Sequence, residues 1–274
     1  MGGNRIDQSR MQNKLVHTKL IMMPNKTKHI KYFIGVILIL GAAMSMMRCS
    51  KSDSVGDGPG TGIGGSLNRF TIIDSFLYVL NNDRVEVYTI NDGNMDFHST
   101  TIIDSEIETI FPLDSLLLIG GERGMYICKR VSGGSIQLIS SYTHIRSCDP
   151  VVTDGKFAFV TLSAGCGNFA NQLDILDIQD PFNPVLLKTY QFEGPKGLGI
   201  DDDLLFLCDT PVGLMIFDRS NIFDLKLIQQ FTHINPVDVI PYNGLLLVMT
   251  ESSIHQFDYS DPANIIELSS FSLK

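Results

Sequence analysis

The sequence predicts an all-β fold: a five-bladed β-propeller of four-stranded antiparallel blades, preceded by a signal or anchor helix and a flexible tether. Three observations carry this reading. Five short turn signals, Asp74-Ser75, Asp114-Ser115, Asp154-Gly155, Asp202-Asp203 and Asn243-Gly244, recur at offsets of 40, 40, 48 and 41 residues. An apolar run of strand length stands behind each turn, and about fifteen residues after the turn a second strand-like run follows. The first runs are apolar on both faces, as expected of strands sandwiched between neighbouring sheets that cannot bury those faces alone.

Composition agrees with a folded chain. Of the 274 residues, 44% are hydrophobic and 19% charged, which argues against disorder across the body, and a closed all-β repeat of this length still counts as one domain. The charge is uneven: eight of the 21 Lys and Arg lie before residue 50, where Asp7 is the one acidic residue. Residues 50–274 therefore carry 13 basic and 29 acidic groups, a net charge of −16 that disfavours nucleic acid as a partner.

The first element, residues 1–48, reads as an address. An apolar stretch from Tyr32 to Met47 follows Lys26, Lys28 and Lys31, the layout of a secretory signal whose apolar part is short for a membrane span. Counted from Met22 or Met23, its cationic region has ordinary proportions. Cys49 follows directly, and residues 49–66 continue as a Gly- and Ser-rich tether. A cysteine at that junction resembles the lipidation site of bacterial lipoproteins, which implies an exported, membrane-anchored protein of the cell envelope. Met47 and Arg48 stand where lipoproteins carry small residues, so an uncleaved signal anchor is the alternative.

Residues 67–274 hold the five repeats. The runs behind the turns are Phe76 to Leu80, Leu116 to Ile119, Phe157 to Val160, Leu204 to Leu207 and Leu245 to Met249. The second runs are Val85 to Tyr88, Met125 to Cys128, Leu173 to Asp177, Leu214 to Asp218 and Ile254 to Asp258. These second runs resemble the LVIVD repeat of bacterial envelope proteins. Three keep its terminal aspartate as Asp177, Asp218 and Asp258, and two keep its turn, Asp180-Pro181-Phe182-Asn183 and Asp261-Pro262-Ala263-Asn264. Thr89 and Lys129 replace the aspartate in the first two repeats. That family is defined by its repeat, and the resemblance implies no shared activity. The aspartates are expected to cap their turns by accepting backbone N–H bonds. One strand before each turn and one outer strand, such as Val185 to Tyr190, complete four per repeat, with none left over. Ring closure would then rest on packing between the first and last blades; an open arc would leave apolar faces exposed there.

The third repeat is longer because its second and third strands are joined by an insertion, Ser163 to Asn171. That loop opens on the same face as the connections between blades, so Cys148 and Cys166 share one rim. In an exported protein such a pair favours a disulfide, closing a loop valued at about 3 kcal/mol by chain entropy. Two separate thiols, or a metal site with Cys208, are the competing readings; Cys128 lies inside a strand as a small core residue.

The same face should collect Arg146, Asp149, Asn168, Asn171, Lys196, Asp209, Asn235 and Asp238, a default ligand-binding region for a propeller. Nucleophile elbows, phosphate-cradling loops and metal-binding His-Glu-x-x-His helices do not occur in the sequence, so no catalytic residue, metal or cofactor is assigned. His144 and His233, each two positions before a rim residue, read as lone surface histidines, and Asp201-Asp202-Asp203 as a solvated turn. The expected function is a non-catalytic binding or scaffold module for an envelope protein or small ligand. The alternative is a glycan or ester hydrolase using carboxylates such as Asp149, Asp209 and Asp238 at the central opening.

Overall fold

A computed structural model of the chain describes residues 64–104, 106–143, 150–164 and 171–274. The signal segment, Cys49 and the tether up to residue 63 lie outside the described residues, as do Arg146, Cys148, Asp149, Cys166 and Asn168. What is described belongs to one compact unit, Gly56–Lys274, and it is a five-bladed β-propeller.

Blade one consists of β1 (Phe70–Ile73), β2 (Phe76–Asn81), β3 (Arg84–Asn91) and β4 (Asn94–Ile102). Blade two follows as β5 (Ile107–Leu113), β6 (Leu116–Gly121), β7 (Gly124–Arg130) and β8 (Ile136–Thr143). Blade three is β9 (Val151–Thr153), β10 (Phe157–Leu162), β11 (Gln172–Asp177) and β12 (Val185–Gln191). Blade four is β13 (Pro195–Asp201), β14 (Leu204–Asp209), β15 (Gly213–Asp218) and β16 (Lys226–Phe231), and blade five is β17 (Pro236–Tyr242), β18 (Leu245–Thr250), β19 (Ser253–Asp258) and β20 (Ile266–Ser272). Every sheet has its four strands in chain order, each antiparallel to the next.

The turn residues fold as their chemistry dictates. Asp74, Asp114, Asp202 and Asn243 adopt φ values of 57°, 46°, 44° and 50°, the left-handed region that Asp and Asn tolerate best after glycine. Asn243 and Gly244 are both left-handed, which suits a two-residue hairpin. At the far end of the third strand, Asp177, Asp218 and Asp258 each accept the N–H two residues on, from Gln179, Ser220 and Ser260, at 2.8 to 2.9 Å. The capping expected of the repeat aspartates is therefore present.

Apolar cores fill the interfaces between successive blades. Tyr78, Val85 and Val87 of blade one meet Leu117, Ile119 and Cys128 of blade two. Leu118 and Ile127 meet Ala158 and Val160, Phe159 and Ile175 meet Leu205 and Leu207, and Phe206 and Ile216 meet Leu246, Val248 and Phe257. Because successive side chains on a strand alternate faces, β6, β10 and β14 are buried on both sides. The terminal blades differ. In β18, Leu246 and Val248 are buried against blade four while Leu247 and Met249 are 41% and 39% exposed. In β1, Ile73 is buried while Phe70 and Ile72 are exposed. Among the described residues, no apolar core joins blade five to blade one.

The join is polar instead. Ser66, ahead of β1, donates its hydroxyl to Asp238 Oδ1 of β17 at 3.0 Å and accepts the N–H of Leu198 in β13 at 2.9 Å. Leu67 N–H reaches Asp238 Oδ2 at 3.3 Å, and Asn68 C=O accepts Ile110 N–H of β5 at 2.8 Å. The segment from Gly64 to Asn68 thus binds three blades, and it lines one side of a central cavity of about 210 Å³ walled by Ile110, Val152, Leu198 and Val239.

Candidate functional site

The rim that carries the connections between blades is built from two kinds of loop, the links into each first strand and the turns between second and third strands. Asp209 is buried at the end of β14, with its oxygens accepting Glu193 and Gly194 N–H at 3.0 and 2.7 Å, so it fastens the link into its own blade. Asp238 is buried under Ser66 and Leu67 as described. Burial pushes its carboxyl above the ordinary range, although hydrogen bonds from Ser66 and from backbone N–H groups pull the other way. Gly65 and Gly197 leave the room it needs: a Cβ on either would sit 2.0 or 2.3 Å from its oxygens.

Asn171 ties the insertion of blade three to the next link, accepting Ala164 N–H at 2.8 Å and donating to Glu193 C=O at 2.6 Å. Lys196 is half-buried beside them, and its carbonyl accepts the Thr161 hydroxyl. Asn235 alone of the described rim set is exposed and lines a pocket. That pocket, about 460 Å³, lies between blades four and five and is also lined by Thr210, His233, Ile234, Glu251, Ser253 and His255.

The pocket wall contains a connected polar chain. Ser253, His255 and Phe257 alternate along β19 and so share one face, and buried Phe257 shows that this face looks toward blade four. Ser253 Oγ lies 2.8 Å from His255 Nε2, and His255 Nδ1 lies 2.7 Å from Glu267 Oε1. The second oxygen of Glu267 is 2.7 Å from His233 Nε2. Glu267 is there because of a bulge. The pairing of β19 with β20 shifts after Gln256, so Glu267 rather than Leu268 stands opposite Phe257, on its face. An ionised Glu267 can only accept, which places a proton on Nδ1 of His255; in the neutral ring Nε2 is then the acceptor for the Ser253 hydroxyl. Burial pushes the Glu267 carboxyl up, but the hydrogen bonds from His255 and His233 outweigh it and hold the group below its ordinary range.

Sequence reasoning placed the rim and Asn235 but passed over Ser253, His255 and Glu267. The one signal available was a Ser-x-His step at the entry to the predicted run Ile254 to Asp258; once the strand is extended back to Ser253, both side chains share one face. Among the described residues, no group of three His, Cys, Asp or Glu side chains is placed to hold an ion; Cys148 and Cys166, the other two members of the metal alternative, lie outside those residues. Cys208 is buried, its thiol pushed well above the usual range by burial and then by the nearby Asp238 charge.

By sequence, the chain matches no protein-family model and no curated protein. By structure it is similar to a Lactobacillus plantarum protein (16% identity, TM-score 0.60, covering 72% of this chain and 67% of that one). It is also similar to a functionally unknown protein of Desulfotomaculum acetoxidans (12% identity, TM-score 0.62, covering 78% and 69%). A candidate 6-phosphogluconolactonase of Bacteroides fragilis superposes at 12% identity and TM-score 0.54, covering 72% and 68%. At these identities the likeness concerns the propeller fold alone.

Proposed function

We propose that this chain is an envelope-tethered propeller that binds a small polar ligand in the rim pocket between blades four and five. The pocket carries the reading: its volume falls in the range of small-molecule sites, about 300 to 1,000 Å³, and it gathers hydroxyl, imidazole and amide groups on rigid strands and short links. The carboxylate alternative is less well supported, since both oxygens of Asp209 and of Asp238 are engaged by N–H or O–H donors. The tether rests on Lys26, Lys28, Lys31, the apolar run to Met47 and the lipoprotein-like position of Cys49. An acidic body of net charge −16 supports a partner other than nucleic acid. A Cys148 to Cys166 bridge would brace the insertion on the same rim.

A fragment screen read by the ring resonances of His233 and His255 tests the pocket. Ligands that shift both rings, and lose affinity on Asn235→Ala, support it; fragments that bind without moving either ring place the site elsewhere. Intact mass of the membrane-extracted protein tests the tether, with absence of a diacylglyceryl adduct on Cys49 excluding lipidation.

A further inference from the structure

The geometry points to an ester-hydrolysing activity in this pocket, with Ser253 as nucleophile, His255 as general base and then acid, and Glu267 as positioning residue. The inference rests on the binding site proposed above and adds the substrate class, a small uncharged carboxylic ester. Three polar groups form an unbroken relay: Ser253 Oγ to His255 Nε2 at 2.8 Å, and His255 Nδ1 to Glu267 Oε1 at 2.7 Å. This is the arrangement by which a serine hydroxyl is activated on several unrelated folds, recognised by geometry and roles rather than by sequence order.

The surroundings favour the same assignment. Thr250 Oγ1 accepts Ser252 and Ser253 N–H and lies 2.7 Å from Ser253 Oγ, so the hairpin tip holding the nucleophile is pinned. The His255 side chain is 14% exposed and that of Glu267 27%, which restrains the ring while Ser253 still faces the pocket. Asn235 is exposed and lines the same pocket, so its amide N–H is the candidate donor to a developing oxyanion. Glu251 and the acidic body disfavour an anionic acyl group, so a neutral ester fits best.

In the reaction, Ser253 Oγ bonds to the ester carbonyl carbon as its proton passes to His255 Nε2. The bond to the alcohol oxygen then breaks, and His255 returns that proton to the leaving alcohol. Water, losing a proton to the same nitrogen, attacks the acyl-serine. The carboxylic acid departs and the serine hydroxyl is restored. No co-reactant beyond water is needed.

The test uses the full-length protein with a fluorophosphonate probe and with p-nitrophenyl acetate. The expected results are a probe adduct on Ser253 by peptide mass spectrometry and ester turnover that Ser253→Ala abolishes. His255→Ala should lower kcat/KM by about 10² to 10⁴-fold. Glu267→Gln should lower kcat with KM unchanged, because a glutamine can present its NH₂ to Nδ1 and favour the wrong tautomer; a merely structural role would not give that split. Circular dichroism confirms that each variant is folded. Ester that shifts the His233 and His255 rings of folded protein, with neither adduct nor turnover, overturns the hydrolase and leaves the binding site standing. Ester that moves neither ring and is not turned over removes both.

Discussion

Arg219 joins blades three and four at the rim opposite the pocket, and replacing it with methionine isolates one inter-blade contact. Its Nη1 donates to Asp154 Oδ2 at 2.6 Å, and the guanidinium lies over the Phe159 ring, 5.3 Å from the centroid. The Arg219 side chain is 10% exposed and that of Asp154 27%, between the surface and buried limits. Exposed pairs contribute about 0 to 1 kcal/mol, and removing one partner of a buried pair costs about 3 to 5 kcal/mol. Methionine keeps the packing over Phe159, removes the buried and unpartnered Arg219 Nε, and leaves Asp154 its bonds from Lys156 and Phe157 N–H. The net cost should therefore be about 1 to 2 kcal/mol, a fall in Tm of roughly 3 to 6 °C for a body of this size. Burial pushes the Asp154 carboxyl up, but the bonds from Phe157 N–H, Arg219 and Lys156 N–H outweigh it, so its folded pKa lies below the ordinary 3.8. Such a group stabilises the fold above the unfolded value, and that contribution is lost as pH falls through the folded value. Thermal denaturation followed by circular dichroism at pH 7, and again below the folded value, should show a deficit that shrinks on acidification. A Tm change within about 1 °C at pH 7, or an equal deficit at both pH values, would refute the latch.

Three further outcomes follow from the same geometry. Asp238→Asn should gain on wild type as pH rises above 3.8, because burial raises the folded pKa of Asp238 and its ionisation there costs stability; urea titrations at several pH values would show a constant difference if the group were unburdened. Gly213→Ala should cost about 2 kcal/mol or more by chemical denaturation, since φ is +118° and a Cβ would lie 2.1 Å from the Phe231 carbonyl oxygen; a neutral substitution would contradict this backbone path. Cys128, whose thiol burial pushes up to about 12, and Cys208 should not react with a thiol reagent at pH 8 until the chain unfolds. With Cys49 replaced, denatured and unreduced protein should then show two thiols, and four would exclude the Cys148 to Cys166 bridge.

The repeat was legible because each blade is written in local signals. Left-handed Asp74, Asp114, Asp202 and Asn243 mark hairpins whatever surrounds them, and the capping of Asp177, Asp218 and Asp258 reaches only two residues along the chain. The latches of Arg130 on Asp74, Arg219 on Asp154 and Tyr259 on Asp201 were not, since each needs the neighbouring blade in place. Asp209 and Asp238 look like rim ligands in sequence, yet backbone from other segments folds over both.

By itself the sequence determined the number of blades, their strands, their turns and the acidic character of the body. These follow from side-chain alternation and turn chemistry within about forty residues. Only the tertiary structure decided that Glu267 faces His255. A one-residue bulge reverses which side chains point inward, and the period of β20 alone does not contain it. The polar join of Ser66 to Asp238, 172 positions apart, likewise exists only once five sheets have brought the two ends of the repeat array together.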